Sequence, residues 1–441
     1  MKKLTLSLLA AFAACTGAWA QSLDNPALNA NLENGFVRIG EFRSNTRNNV
    51  GAASFIFPSG DKLVTGLHSS IGIDQFLGGL MPVNSLYSQM DYNLVSYGWK
   101  GGPLGGFHTV DVGAKGDYGV SVPKEIFQIL KSGTGESPFD LSSFTAFGNM
   151  YGEIAYGYSL PVSDNLSVGA RVKLLVGLNS ASVSASRFQL TTTDDEYTVD
   201  LDADIDLTNR NKKISADDEG YLDYTSFRGK GKLGLPSGAG LAVDLGVAWK
   251  PFSGFTLEAS LLDLGGILWY YGNGGKSSGT YTFDGLKDMS SDEFDQEKLS
   301  AKLKETGEEV LKVIKPKAVD GRFKAKAVPF TARIGASYEM PFWSNLSVNC
   351  SSLYTGYNFC APYWEARGGL AVNFPGTAMV GMSAGSGAHG VVWGANASVD
   401  FLSFRLTASY ENGIGGVIPY EGTPLKANNK SLVVGLVYKI L

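Results

Sequence analysis

The chain has 441 residues, with 37 Lys+Arg against 42 Asp+Glu, 24 Phe, 20 Tyr, 7 Trp, 56 Gly, and only 3 Cys and 3 His. A hydrophobic share of 44% excludes disorder, three cysteines exclude a disulfide scaffold, and a net charge of −5 without a basic block excludes nucleic acid as the main partner. Glycine at about 13% against a usual ~7%, with no apolar run of 18 residues or more, leaves a β protein without helical membrane spans.

The N-terminus reads as an address. Lys2 and Lys3 precede the apolar run Leu4 to Ala14, and Ala18-Trp19-Ala20 forms a cleavage site before Gln21, the pattern of a secretory signal peptide over residues 1–20. Lipoprotein processing at Cys15 is the rival reading, with Phe12 where such sites usually carry an aliphatic residue. Cleavage after Ala20 leaves 35 Lys+Arg against 42 Asp+Glu, a net charge of −7. Cys350 and Cys360 remain, as a hairpin disulfide or as two separate thiols; no metal-ligand spacing accompanies them.

Period-two alternation dominates the chain beyond this address. In 165–176, Leu166, Val168, Ala170, Val172 and Leu174 alternate with Asn165, Ser167, Gly169, Arg171 and Lys173. In 239–250, Leu241, Val243, Leu245, Val247 and Trp249 alternate with Gly240, Ala242, Asp244, Gly246 and Ala248. Segments 106–120, 328–339, 363–374, 402–410 and 431–440 behave alike. A soluble sandwich also alternates. Gly-rich polar faces and aromatics at segment ends, such as Tyr156, Trp249, Phe252, Trp343 and Tyr410, favour a membrane barrel with a polar lumen and aromatic girdles.

Connection lengths point the same way. Short turns follow Pro161, Pro251 and Pro341, which are 90 residues apart. Long connections fall at about 58–87, 121–148, 181–238, 267–327 and 412–430, all between the short turns, as in outer-membrane barrels. Strands are predicted near 46–57, 88–100, 106–120, 149–160, 165–180, 239–250, 254–266, 328–340, 345–354, 363–374, 376–385, 390–400, 402–411 and 431–441. The expected fold is all-β: a transmembrane antiparallel β-barrel of about 14 strands (range 12–16) over 46–441, with helical inserts in extracellular loops. Residues 21–45 form a periplasmic or lumenal segment. The loops carry a predicted short helix at Pro123–Leu130 and an amphipathic helix over roughly 290–314.

Asn25-Pro26-Ala27 after the signal peptide and fourteen strands resemble the long-chain fatty-acid transporter superfamily of outer-membrane barrels. Tyr156-Gly157-Tyr158, Val168-Gly169-Ala170-Arg171-Val172-Lys173, Val243 to Pro251, and Leu262-Asp263-Leu264-Gly265 more closely resemble a Bacteroidota family of outer-membrane proteins of unknown function. The resemblance implies fold and location, and no substrate. One departure is the end Tyr438-Lys439-Ile440-Leu441, where such barrels usually finish in an aromatic.

Chemistry-bearing patterns are few. Gly381-Met382-Ser383-Ala384-Gly385 fits a nucleophile elbow, with His389 and Asp400 following, but it lies in an alternating strand without the helix an elbow needs. Gly229 to Gly234 fits G-x-G-x-x-G, but Pro236 follows where a helix must start. Asp200, Asp202, Asp204 and Asp206 share one strand face, either as a divalent-ion site or as the solvated face of an extracellular hairpin built from 182–191 and 196–207. Parity assigns Glu153, Arg171, Lys173, Asp244, Glu258, Arg333, Glu339, Arg367 and Arg405 to the lumen as candidate ligand-binding residues. With three scattered histidines and no base–nucleophile pair, neither an enzyme nor a cofactor is expected. The expected function is uptake or passage of a small molecule, a hydrophobic one included, in contact with outer-membrane lipids. The alternative is a structural or partner-binding barrel with a plugged lumen.

Overall fold

A computed structural model of the chain describes residues 24–51, 54–60, 62–102, 104–135, 138–193, 196–210, 215–223, 236–283, 304, 308, 312–340, 346–356, 363–374, 376–387, 390–414 and 430–440. Nineteen strands occur among them. In the first half these are β1 (Phe36–Asn48), β2 (Ile56–Ser59), β3 (Lys62–Thr65), β4 (Val83–Gly101), β5 (Gly106–Pro123), β6 (Phe139–Asp140), β7 (Thr145–Ser163), β8 (Leu166–Thr192), β9 (Tyr197–Thr208) and β10 (Gly238–Phe252). The second half contributes β11 (Phe255–Phe283), β12 (Lys317–Ala327), β13 (Phe330–Glu339), β14 (Leu346–Gly356), β15 (Tyr363–Phe374), β16 (Ala378–Gly387), β17 (Gly390–Phe401), β18 (Phe404–Ile414) and β19 (Lys430–Lys439). Helix α1 spans Ile73–Gly78 and α2 spans Lys124–Ser132. No described helix is long and apolar enough to cross a membrane.

Antiparallel pairing runs from β1 to β4, β5, β7, β8, β10, β11, β13 and on through β14, β15, β16, β17 and β18 to β19. Strand β19 then pairs with β1, from Phe36↔Lys439 to Thr46↔Lys430. This circuit of fourteen strands pairs each member on both sides. The other five are additions. The β2–β3 hairpin stands apart, and β6 pairs the upper part of β8. Strands β8 and β11 are long enough to hold β9 between them, end to end with β10. The predicted hairpin of 182–191 and 196–207 is the upper half of β8 with β9.

Burial is inside out relative to a soluble protein. Leu241 is 63% exposed and Val172 55%, whereas neighbouring Asp244 is 0% and Arg171 3% exposed. An outward apolar belt over an inward polar lining is favourable only where lipid surrounds the wall. The aliphatic members of the alternating segments therefore face outward.

The first strand corrects the expectation of 46–57. It is Phe36–Asn48, so the barrel begins near residue 36 and the N-terminal segment ends there instead of at 45. Its inward positions carry Arg38, Arg43 and Arg47, and a bulge with Gly40 at φ +69° interrupts its register, which hides the alternation. The apolar residues Phe55 and Phe57 belong instead to a cap on the long-loop side, packed on Ile71, Phe76, Leu80 and Phe127 of α2. Helix α2 itself follows Pro123 as expected.

The signal peptide, Gly229–Gly234, Cys360, His389, the Pro341–Asn345 turn and most of the 290–314 helix lie outside the described residues. The pairing of Cys350 with Cys360 is therefore outside them too.

Candidate functional site

The lumen is filled from the N-terminal side first. Residues Pro26–Asn31 form a 3-10 turn capped by Asn25, whose side chain accepts from the Ala27 N–H at 3.0 Å. Asn25 Nδ2 donates to the Val247 carbonyl at 3.2 Å, and Ser159 Oγ donates to the Pro26 carbonyl at 2.6 Å. Two glycines of the wall make room for this plug: a Cβ on Gly246 would stand 2.1 Å from Asn25 Oδ1, and one on Gly169 2.5 Å from the Pro26 carbonyl carbon. Asp24 ties the plug to opposite sides of the barrel through Arg43 at 2.7 Å and Arg333 at 2.8 Å.

Beside the plug lies a network of buried charges. Asp263 Oδ1 accepts from Lys115 Nζ at 2.8 Å and from Lys173 Nζ at 2.6 Å. Lys173 also pairs with Asp244 at 2.9 Å, Lys115 with Glu153 at 3.2 Å, and Arg171 with Asp244 at 3.2 Å and Asp111 at 3.6 Å. Lys115 on β5 and Asp263 on β11 are separated in the circuit by β7, β8 and β10, so their pair reaches across the lumen. A second strut joins Arg47 of β1 to Glu365 of β15 and Glu411 of β18, both at 3.4 Å, with Arg367 bound to the same two carboxylates. Charges this dry persist because each is paired.

Of the nine predicted lumenal residues, Glu153, Arg171, Lys173 and Asp244 converge in the first network. Arg333 and Glu258 meet the plug, the latter through Asn25 Nδ2 at 3.4 Å. Arg367 lies in the second strut. Arg405 pairs with Asp400 at 2.6 Å beside the β17–β18 turn, and Glu339 is exposed at the end of β13, so neither joins a central cluster. The four aspartates of β9 do not converge on an ion. Asp200 pairs with Arg187 at 2.9 Å, Asp202 with Lys276 at 3.2 Å, and Asp206 with Lys324. Among the described residues no three His, Cys, Asp or Glu side chains group as a metal site. Ser383 sits mid-strand in β16, not at an elbow.

An apolar layer adjoins the first network. Tyr151, Leu175, Ala242, Ile267, Trp269 and Val328 pack together inside the barrel. Behind it the wall is interrupted. Strand β11 pairs β13 up to Leu262↔Thr331 and β12 from Gly266↔Ala327, so Asp263 to Gly265 pass Val328 to Phe330 outside either ladder. One backbone bond crosses there, from Val328 N to Gly265 O at 3.2 Å, and Pro329 has no N–H to offer. On the outer side an open depression of about 670 Å³ is lined by Leu174, Leu241, Leu268, Ala325, Ala327 and Gly266.

Residues 26–411 match a family of unknown function, DUF5723. The chain belongs to that family. Solved structures similar to this chain include a FadL homologue of Pseudomonas aeruginosa, 11% identical, with a TM-score of 0.44 over 95% of this chain and 92% of that one. The Ralstonia pickettii toluene transporter TbuX is 9% identical, with a TM-score of 0.46 over 98% and 97%. The translocator domain of the autotransporter NalP from Neisseria meningitidis is 10% identical, with a TM-score of 0.36 over 96% of each. No curated protein matches.

The stretch Leu262-Asp263-Leu264-Gly265 runs into the wall interruption, and Asp263 is a lumenal residue that parity missed. Opposite Asp244, β11 carries one extra residue, shown by the shift from Leu245↔Leu261 to Val243↔Leu264. Below this bulge even-numbered residues point inward; above it odd-numbered ones do. Lys115, Glu365 and Glu411 face inward as well, charged positions that alternation also marks but that the predicted set does not include, and Arg47 does so on β1, where the bulge hides the alternation.

Proposed function

We propose that this protein is an outer-membrane barrel that passes a small hydrophobic molecule between its lumen and the surrounding lipid through the interruption in its wall. One observation carries the reading: the stretch Asp263 to Gly265, outside the ladders to β12 and β13, is flanked by apolar side chains on both faces, while charged struts cross the lumen beside it. Leu262, Ile267 and Val328 lie inside, and Leu241, Leu264 and Leu268 outside. An apolar solute moving along this line meets one charged side chain of the wall, Asp263 with its two lysines, and otherwise apolar groups, whereas the axial route would take it past both sets of ion pairs. The exported N-terminal address supports outer-membrane placement, with the cap and β9 on the extracellular side.

The test is uptake of N-phenyl-1-naphthylamine by cells that carry the barrel in a lipopolysaccharide-coated outer membrane. Uptake should exceed that of cells without the barrel, and Ala325→Trp or Ala327→Trp, which obstruct the outer depression beside the interruption, should return it to background while the protein stays heat-modifiable on gels. Uptake equal to the barrel-free control would sink the proposal. That outcome would favour a partner-binding barrel, a reading that draws on the same struts and plug as a permanently closed lumen.

A further inference from the structure

Asp263 is the one residue of the wall interruption that is charged, and its backbone is held where few side chains go, at φ +60°. Three sets of bonds hold it. Its N–H donates to Asp244 Oδ1 at 2.7 Å; Lys115 Nζ donates to both its carboxylate oxygens, at 2.8 and 2.9 Å; Lys173 Nζ donates to Oδ1 at 2.6 Å. Lys115 projects from β5, beyond β10, β8 and β7 in the circuit, and Lys173 from β8, beyond β10 alone. The bulge is thus pulled inward by two ammonium groups from different strands, at the point where the ladder to β12 and β13 is missing.

We propose that the Lys115–Asp263–Lys173 clamp is the latch of the lateral passage, a role that rests on the transport reading above. With the clamp made, Leu262 to Gly265 are drawn against the lumenal contents and the wall is shut. With it broken, the Val328 N to Gly265 O bond is the one described backbone tie from Asp263–Gly265 to the β12–β13 side, and Leu262, Ile267 and Val328 become uncovered. An apolar solute entering from the lumen covers that surface only in the open state, so its binding shifts the population toward opening without any charge of its own. Asp263 is a positioning residue in this scheme: it holds backbone, and the solute never touches its carboxylate.

Asp263→Asn separates charge from shape, because asparagine tolerates the same left-handed backbone. In the reconstituted barrel, amide hydrogen exchange over 262–266 and 327–331 should rise about tenfold or more, the scale of losing charge-assisted hydrogen bonds, while β16 to β18 exchange as before. Naphthylamine uptake should rise with it. Unchanged exchange at the interruption, or a rise spread evenly round all strands, would overturn the latch. Should Asp263→Asn fail to assemble, Lys173→Met removes one arm of the clamp, leaves Lys115 in place, and must give the same local rise. The two proposals fail separately. Uptake blocked by Ala327→Trp but indifferent to Asp263→Asn defeats the latch alone; local exchange that rises in a barrel without uptake defeats the transport reading alone.

Discussion

A single carbon decides whether the plug can dock. Gly246 and Gly169 lie under Asn25 and Pro26 with no room for a side chain. Gly246→Val should therefore expel the 24–31 segment without stopping barrel closure, because valine suits a strand and its neighbours Leu245 and Val247 already point outward. The expected result is rapid protease cleavage after folding near residues 24–31 in the variant and protection in the wild type. At the residue scale, part of the lumenal lining was legible from regular strands. Glu153, Arg171, Lys173 and Asp244 follow from parity because side chains of a strand alternate until a bulge intervenes. Asp263 does not follow, since the bulge beneath it reverses the count.

At the level of elements, the wall is defined by which face meets lipid. Val172 lies mid-strand in β8, outward, between the buried Arg171 and Lys173. Val172→Arg should cost about 2–4 kcal/mol if it lies near the bilayer midplane. Urea unfolding in phospholipid vesicles would read that loss; a soluble sandwich would show a cost near zero for an exposed site. Beyond the membrane, the loop 215–223 is stapled to the start of β12 by Lys315, whose ammonium reaches Asp217 Oδ2 at 2.9 Å and lies 5.0 Å from the Tyr221 ring centre. The hydrogen bond from Lys315 holds the Asp217 carboxyl below its ordinary range, with the Tyr221 N–H adding to it. A depressed carboxyl stabilises the staple above its unfolded value near 4 and loses that contribution as pH falls through the lowered one. Amide exchange at Tyr221 and Leu222 should accordingly accelerate below about pH 4 and stay flat from pH 5 to 8, once the intrinsic pH dependence of exchange is divided out. The strand β1 marks the limit of element-level reading: Arg38, Glu41, Arg43 and Arg47 make a strand whose lumenal face is ion pairs, and its apolar signal is too sparse to separate it from a loop.

For the molecule as a whole, alternation, loop asymmetry and the Gly-rich composition determined a β-barrel with its apolar face outward. Those features are local, and period two and turn length act within a few residues of one another. The tertiary structure alone decided where the circuit closes, with β1 joining β19, and which charges meet across the lumen, as Arg47 does with Glu365 and Lys115 with Asp263. It also decided that one stretch of wall lacks its ladder. Such facts depend on partners far apart in the chain, and a buried charge is tolerated only when its partner arrives from another strand. No window of sequence contains both.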